Sequence, residues 1–229
     1  MTDVRTEELA ILTASQVTPR PWLFGNRPSR QVVDLQRPPH ELEVTGDVGM
    51  GAVYTPASGG LVFGEDDEQI RHALLSRFFT PYAEALADLV DERVAVTGQA
   101  IVIDLHCYLV EALPCEGYQH ARRPAVCVGV DFGHTPAALV RRVSRAFSVV
   151  GDDAVNEPFI RTGMAIGHFG RDNRVALVML ELRRDVYLRE VGSLDPQGAG
   201  RISEALVAIL RPEDCWRPNR GTARGFGAE

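Results

Sequence analysis

At 229 residues, with 45% hydrophobic and 24% charged residues, the chain has the length and composition of a single soluble domain with a sizeable core. The formal net charge of −7 is interspersed along the sequence and leaves no basic stripe, which argues against a nucleic-acid partner. No apolar run approaches the roughly 18 residues of a membrane span, and the start, MTDVRTEELAIL, lacks a signal-peptide pattern, so no membrane partner and a cytoplasmic location are expected.

Two residue types narrow the chemistry further. Every basic side chain is an arginine, which removes a Schiff-base lysine and a P-loop lysine. The cysteines, Cys107, Cys115, Cys127 and Cys215, form no CxxC pair, so neither a zinc ribbon nor a redox motif is indicated and reduced thiols are expected.

In chain order, the first thirty residues are poor in periodicity and rich in turn formers, as in TPRPWLFGNRPSR. QVVDLQ (residues 31–36) reads as a short strand stopped by Pro38 and Pro39, and the Gly-rich passage TGDVGMGAVYTPASGGLVFGEDD as a loop. From Glu68 to about Val94 apolar residues recur at helical spacing, with Pro81 as a kink or break. QAIVIDLH reads as a strand, PAVCVGVDF as another, and TPAALVRRVSRAFSVV as an amphipathic helix with Thr135 as N-cap and Pro136 at the first helical position. RVALVMLELRRDVYL is a long strand candidate, GAGRISEALVAIL a final helix, and residues 212–229 a loose Pro/Gly/Arg-rich tail. Near-continuous apolar strands alternating with helices predict one three-layer α/β domain over residues 1–229. Its sheet is expected to be mostly parallel or mixed and covered on both faces.

Ligands in open α/β sheets gather beyond the carboxyl ends of the strands, and two strands here end in ionisable residues. Asp104 and His106 are two apart, so both side chains project to one face. That pair reads either as hydrogen-bonded polar residues at a strand end or as part of a metal site, the histidine binding the ion. Glu181 and Arg183 share a face in the same way, as an ion pair or as a water-activating carboxylate beside an arginine. NEPFIRTGMAIGHFG, with Asn156 and His168, reads as a turn and hairpin or as a site loop. Arg30 and Arg37 flank QVVDLQ, and arginine forks clamp carboxylates through paired charge-assisted bonds, although lone arginines are commonly solvated.

Taken in order, these segments resemble the N-formylglutamate amidohydrolase family, relatives of the zinc carboxypeptidases and aspartoacylases. SRQVVDLQR resembles the family's Ser-Arg-x-Val-x-Asp-Leu-x-Arg, FFTPYAEAL its helix with Pro-Tyr-His, and IVIDLHCY its Asp-x-His-Ser. VCVGVDFGHT is similar to a strand leading into Gly-Thr-x-x-Gly. NEPFIRTGMAIGHFG is similar to Asn-x-Pro-Tyr/Phe…His-Tyr-Gly, and VMLELRRDVYL to Gln-x-Glu-Leu/Val-Asn-Arg-x-x-Tyr-Met.

The resemblance implies a phosphorylase/hydrolase-like fold and a metal-dependent hydrolase acting on C–N bonds other than peptide bonds. The substrate would be a small molecule or short peptide with a carboxylate. His106 would be a zinc ligand with Asp104 beside it, and Glu181 the base and later acid acting on zinc-bound water. Arg30, Arg37 and Arg183 would bind substrate carboxylates, with Asn156 and Tyr187 nearby, and His168 would stabilise the oxyanion or orient the substrate.

The sequence also departs from the family pattern. The opening Pro-His-Ser-Gly, which should supply another zinc ligand, has TASQVTP as its counterpart, with Ala14 in the histidine's place. Pro-Tyr-His has become Pro81-Tyr82-Ala83, the serine after the zinc histidine is Cys107, and the asparagine of the last motif is Arg183. Asp104, His72, His168, His40 and Cys107 are the candidates to complete a zinc site, which needs three protein ligands and an open position. A non-catalytic or metal-free relative that binds a carboxylate ligand or peptide, or a peptidase-type enzyme on a larger biosynthetic substrate, is the alternative.

Overall fold

A computed structural model gives the architecture, and it describes residues 3–27, 29, 32–36, 52–53, 68–113, 120–131, 133–159, 172–190 and 192–211. Its helices are α1 (Thr6–Ala14), α2 (Glu68–Leu74), α3 (Thr80–Thr97), α4 (Ala137–Phe147) and α5 (Pro196–Leu210). Four strands, β1 (Ala100–Tyr108), β2 (Val126–Gly129), β3 (Asp153–Val155) and β4 (Val175–Arg183), form one sheet in the order β1-β4-β2-β3. β1 runs parallel to β4, β4 antiparallel to β2, and β2 parallel to β3, so the sheet is mixed as expected.

Side-chain alternation along the strands divides the sheet into two faces. One face carries Ile103, Leu105 and Cys107 of β1, Val178, Leu180 and Leu182 of β4, and Val126 and Val128 of β2. It packs against Leu9 of α1, Leu139, Val143 and Phe147 of α4, and Ile202, Leu206 and Ile209 of α5. Each fully buried side chain of this size contributes about 1.5–3 kcal/mol. The other face is covered at one end by α3, where Val90 and Val94 meet Ala100, Val102 and Val175. The resulting layers, helices–sheet–helix, are the three-layer α/β arrangement.

Four local expectations are corrected. The N-terminal segment is not wholly irregular: Thr6–Ala14 is a helix. Its buried stripe is narrow, Leu9 with Thr13 and Ala14, and exposed Ile11 and Leu12 mask the period. Thr13 donates to the Leu9 carbonyl at 2.8 Å and lies 3.3 Å from Ser203 of α5, which fastens this helix to the core. QVVDLQ is not a strand over its described residues, 32–36. Asp34 accepts from the backbone N–H of Gln36 at 3.2 Å, an Asx turn that competes with ladder pairing, while Val33 and Leu35 insert beside Phe79.

Pro81 does not break the helical run: α3 begins at Thr80 and carries Pro81 in its first turn. A π-turn over Leu75–Phe79 joins α2 to α3. Proline lacks an N–H and its ring crowds the carbonyl four residues back, which the wider turn accommodates, so the helix runs on through Pro81. The start of α4 lies one residue later than expected, at Ala137, with Pro136 extended at the cap position. Thr135 therefore does not cap the helix; its hydroxyl donates to the Leu177 carbonyl at 2.6 Å and accepts from the Asp131 N–H at 3.0 Å. The tail 212–229 lies outside the described residues.

Candidate active site

The parallel register of β1 and β4 sets His106 opposite Glu181 and Tyr108 opposite Arg183, and β2 sets Cys127 against Glu181 from the other side. Register partners on adjacent strands share a face, so His106, Glu181 and Cys127 form one row near the carboxyl ends of β1 and β4. On this face Val90 and Val94 of α3 pack at the opposite end of the strands. The pairs Asp104–His106 and Glu181–Arg183 therefore meet in three dimensions.

His106 is gripped at both ring nitrogens. Nδ1 lies 3.0 Å from the Asp3 carboxylate and Nε2 lies 2.7 Å from Asp104. Gln36, presented by the Asx turn, donates its amide to Asp104 at 3.0 Å and lies beside His106 Nε2. Burial works against the imidazolium, but the charge and hydrogen bond of Asp104, followed by those of Asp3, outweigh it and hold the His106 pKa well above its ordinary value. Tyr82 of α3 also faces this corner: burial, and then the Asp104 charge, push its phenol up to about 12.

Next to this row, the Arg123 guanidinium lies 4.9 Å from the Tyr108 ring centroid and 5.9 Å from that of Phe159, in cation–π geometry. Tyr108 donates to the Pro124 carbonyl, and burial raises its pKa. The Cys127 thiol, buried under the Phe159 carbonyl, is pushed up to about 11 by desolvation. Arg183 pairs with Asp185 at 2.8 Å and donates to the Arg123 carbonyl, so its fork already holds the loop that leads into β2.

Two of the expected binding residues are engaged elsewhere. Asn156, in left-handed backbone at φ 55°, accepts from the Val130 N–H at 2.8 Å and donates to the Val130 carbonyl at 3.2 Å, extending the β2–β3 pairing. Tyr187 is fully buried in the opposite face's core and donates to the Val4 carbonyl at 2.6 Å. Neither is brought into the His106–Glu181 row. Arg30, Arg37, His168 and His40 lie outside the described residues. His72 lies on α2, and Cys107 points into the main core. Asp3, Gln36 and Tyr82 carry no signal in local spacing; their place in the cluster arises only from contacts across the fold.

A family-implied zinc can be tested against this donor set. Asp104 and His106 converge and are of the right type. Among the described residues, no group of three His, Cys, Asp or Glu side chains is arranged to hold a metal ion. The described site thus offers two donors of a catalytic set of three.

A mixed sheet flanked by helices on both faces, with His106 and Glu181 side by side near its strand ends, defines a three-layer α/β fold with one candidate site. The family profile described as N-formylglutamate amidohydrolase matches residues 1–188. The chain belongs to that family.

Among solved structures, the N-formylglutamate amidohydrolase of Ralstonia eutropha is similar at 19% identity and a TM-score of 0.56, over 70% of this chain and 61% of that one. A gene product of Agrobacterium tumefaciens is similar at 20% identity and a TM-score of 0.62, over 91% of this chain and 79% of that one. The chain therefore spans less than two thirds of the length of the Ralstonia enzyme. At these identities both likenesses establish the fold. A comparison with curated proteins gives no match. No described helix is long and apolar enough to cross a membrane.

Proposed function

We propose that this chain is an amide hydrolase that cleaves an N-formyl or N-acyl amide of a small molecule or short peptide bearing a carboxylate. The observation that carries this reading is the register of His106 against Glu181 on one face, near the carboxyl ends of two parallel strands. Glu181 is the general base that takes a proton from the attacking water and returns it to the leaving amine. Arg30 and Arg37, together with Arg183, are proposed to bind the substrate carboxylate, and His168 to stabilise the oxyanion. Asp104 and His106 would hold a zinc ion, which when bound supplies Lewis-acid polarisation at the reacting centre.

The test is elemental analysis of the purified chain combined with assays on N-formylglutamate and on a panel of N-acyl amino acids and short peptides. The expected result is turnover that follows zinc content. A metal-free chain inactive on the whole panel would overturn the proposal.

A second reading, a metal-free relative that binds a carboxylate without turning it over, is favoured by one observation. Both nitrogens of His106 are already bonded to carboxylates. Under that reading a carboxylate ligand binds with equal affinity before and after zinc removal, and Glu181→Gln leaves the affinity unchanged.

A further inference from the structure

The N-terminal residues converge on the end of β1. Asp3 is 103 positions away from His106 in sequence, yet one of its carboxylate oxygens lies 3.0 Å from His106 Nδ1. The other accepts the backbone N–H of Cys107 at 2.7 Å. β1 lies at the end of the sheet order, so this N–H belongs to an edge that no described strand pairs. The next residue is held as well: Val4 donates to Cys107 Sγ at 3.2 Å and accepts from the Tyr187 hydroxyl at 2.6 Å.

We propose that Asp3 is a positioning residue of the site, fixing the orientation of the His106 ring. A carboxylate can only accept, so each ring nitrogen that faces one carries a proton: Nδ1 donates to Asp3 and Nε2 to Asp104. With Nδ1 committed to Asp3, Nε2 is the nitrogen turned toward Asp104, Gln36 and the Glu181 row. An edge N–H needs only one acceptor, and water would serve. The carboxylate instead spans two donors on adjacent residues, which ties the ring to the backbone that carries it. The role is not simply to dock α1. That helix is held independently by Leu9 in the core and by Thr13 and the following Gln16 against Ser203, so loss of the Asp3 carboxylate leaves the helix in place.

This inference rests on the proposed function only in placing His106 at the reacting centre; the bond itself is readable without turnover. The experiment is a long-range proton–nitrogen NMR correlation of the histidine rings in the full chain at neutral pH, with His106→Gln assigning the signals. The wild type is expected to show a His106 Nδ1 proton at low field and protected from water. In Asp3→Ala the Nδ1 proton loses its protection from water, while unfolding remains cooperative. Asp3→Glu restores the signal.

Asp3→Asn, which keeps the shape of the side chain, offers one acceptor for two donors and speeds exchange of the proton about tenfold. It serves as the probe if Asp3→Ala does not fold. An unprotected Nδ1 in the wild type, or identical Nδ1 signals in wild type and variants, would overturn the proposal. Where turnover is found, Asp3→Ala lowers kcat about 10- to 100-fold with little change in KM. Where none is found, the ring signals still decide the role of Asp3, so the two readings fail separately.

Discussion

His106 and Glu181 are register partners on neighbouring parallel strands, so an imidazole and a carboxylate leave the same face of the sheet side by side. One residue of slip between β1 and β4 would turn one of them into the apolar layer formed by Leu105, Cys107, Leu180 and Leu182. The burial of those neighbours therefore holds the acid–base row in place.

Glu181→Gln preserves volume and removes the ability to take a proton. The expected result is a fall in the proposed hydrolysis of about 10²- to 10⁴-fold, with the urea midpoint close to that of the wild type. Retained turnover at the wild-type rate would remove Glu181 from the base's role.

Asn156→Ala and Asn156→Gly separate two effects at one position. Both lose the paired bonds to Val130, and alanine also occupies left-handed backbone at φ 55°. Loss of the bonds is expected to cost about 1–3 kcal/mol, and alanine about 1 kcal/mol more than glycine. Urea denaturation of the three proteins measures this. Equal stability of all three would show that the Val130 clamp contributes nothing.

Gly198 and Gly200 lie two apart in α5 and should respond oppositely to alanine. A Cβ at Gly198 would meet the Val186 carbonyl oxygen at 2.3 Å and Tyr187 Cα at 2.8 Å, both backbone atoms that cannot rotate away. At Gly200 it would meet nothing within 4 Å. Gly198→Ala is expected to destabilise by about 1–3 kcal/mol, and Gly200→Ala to stabilise by up to about 1 kcal/mol. Thermal melts of the two variants check the contrast.

Burial of Cys127 raises its pKa from 9.0 to about 11, which makes it a proton-holding group in the folded state. As pH rises from about 9 toward 11, the unfolded chain gives up this proton while the folded chain keeps it. The folded state then binds more protons, and stability falls with rising pH. The stability of the wild type is expected to drop more steeply over that range than that of Cys127→Ala, read as urea midpoints at several pH values. Identical slopes would mean that the thiol's environment is not the apolar one described. Alkylation of Cys127 at pH 8 should likewise be slow until the chain unfolds.

Strands β1 and β4 and helices α4 and α5 are legible in the sequence because each buries a broad, regularly spaced apolar face. IVIDLH and VALVMLEL alternate or run apolar through the centre of the sheet, and Leu139, Val143 and Phe147 recur at helical spacing. The same strands carry Asp104, His106, Glu181 and Arg183 toward their ends, so local pattern is enough to put these four at the carboxyl edge of the sheet. β3 went unread because three residues, Asp153–Val155, are too short for a period to show. α1 went unread because only a narrow stripe of it is buried.

Other relationships arise from contacts between distant parts of the chain, which no local window contains. The strand order β1-β4-β2-β3 decides that His106 faces Glu181 and that Cys127 closes the row. Pairing across the fold brings Asp3 and Gln36 onto His106 and bonds Asn156 to Val130 and Tyr187 to Val4. A polar side chain takes its role from whichever partner the fold brings within about 3 Å of it. Sequence determined which segments could be strands and helices and which residue types could do chemistry; tertiary structure alone decided which polar groups meet.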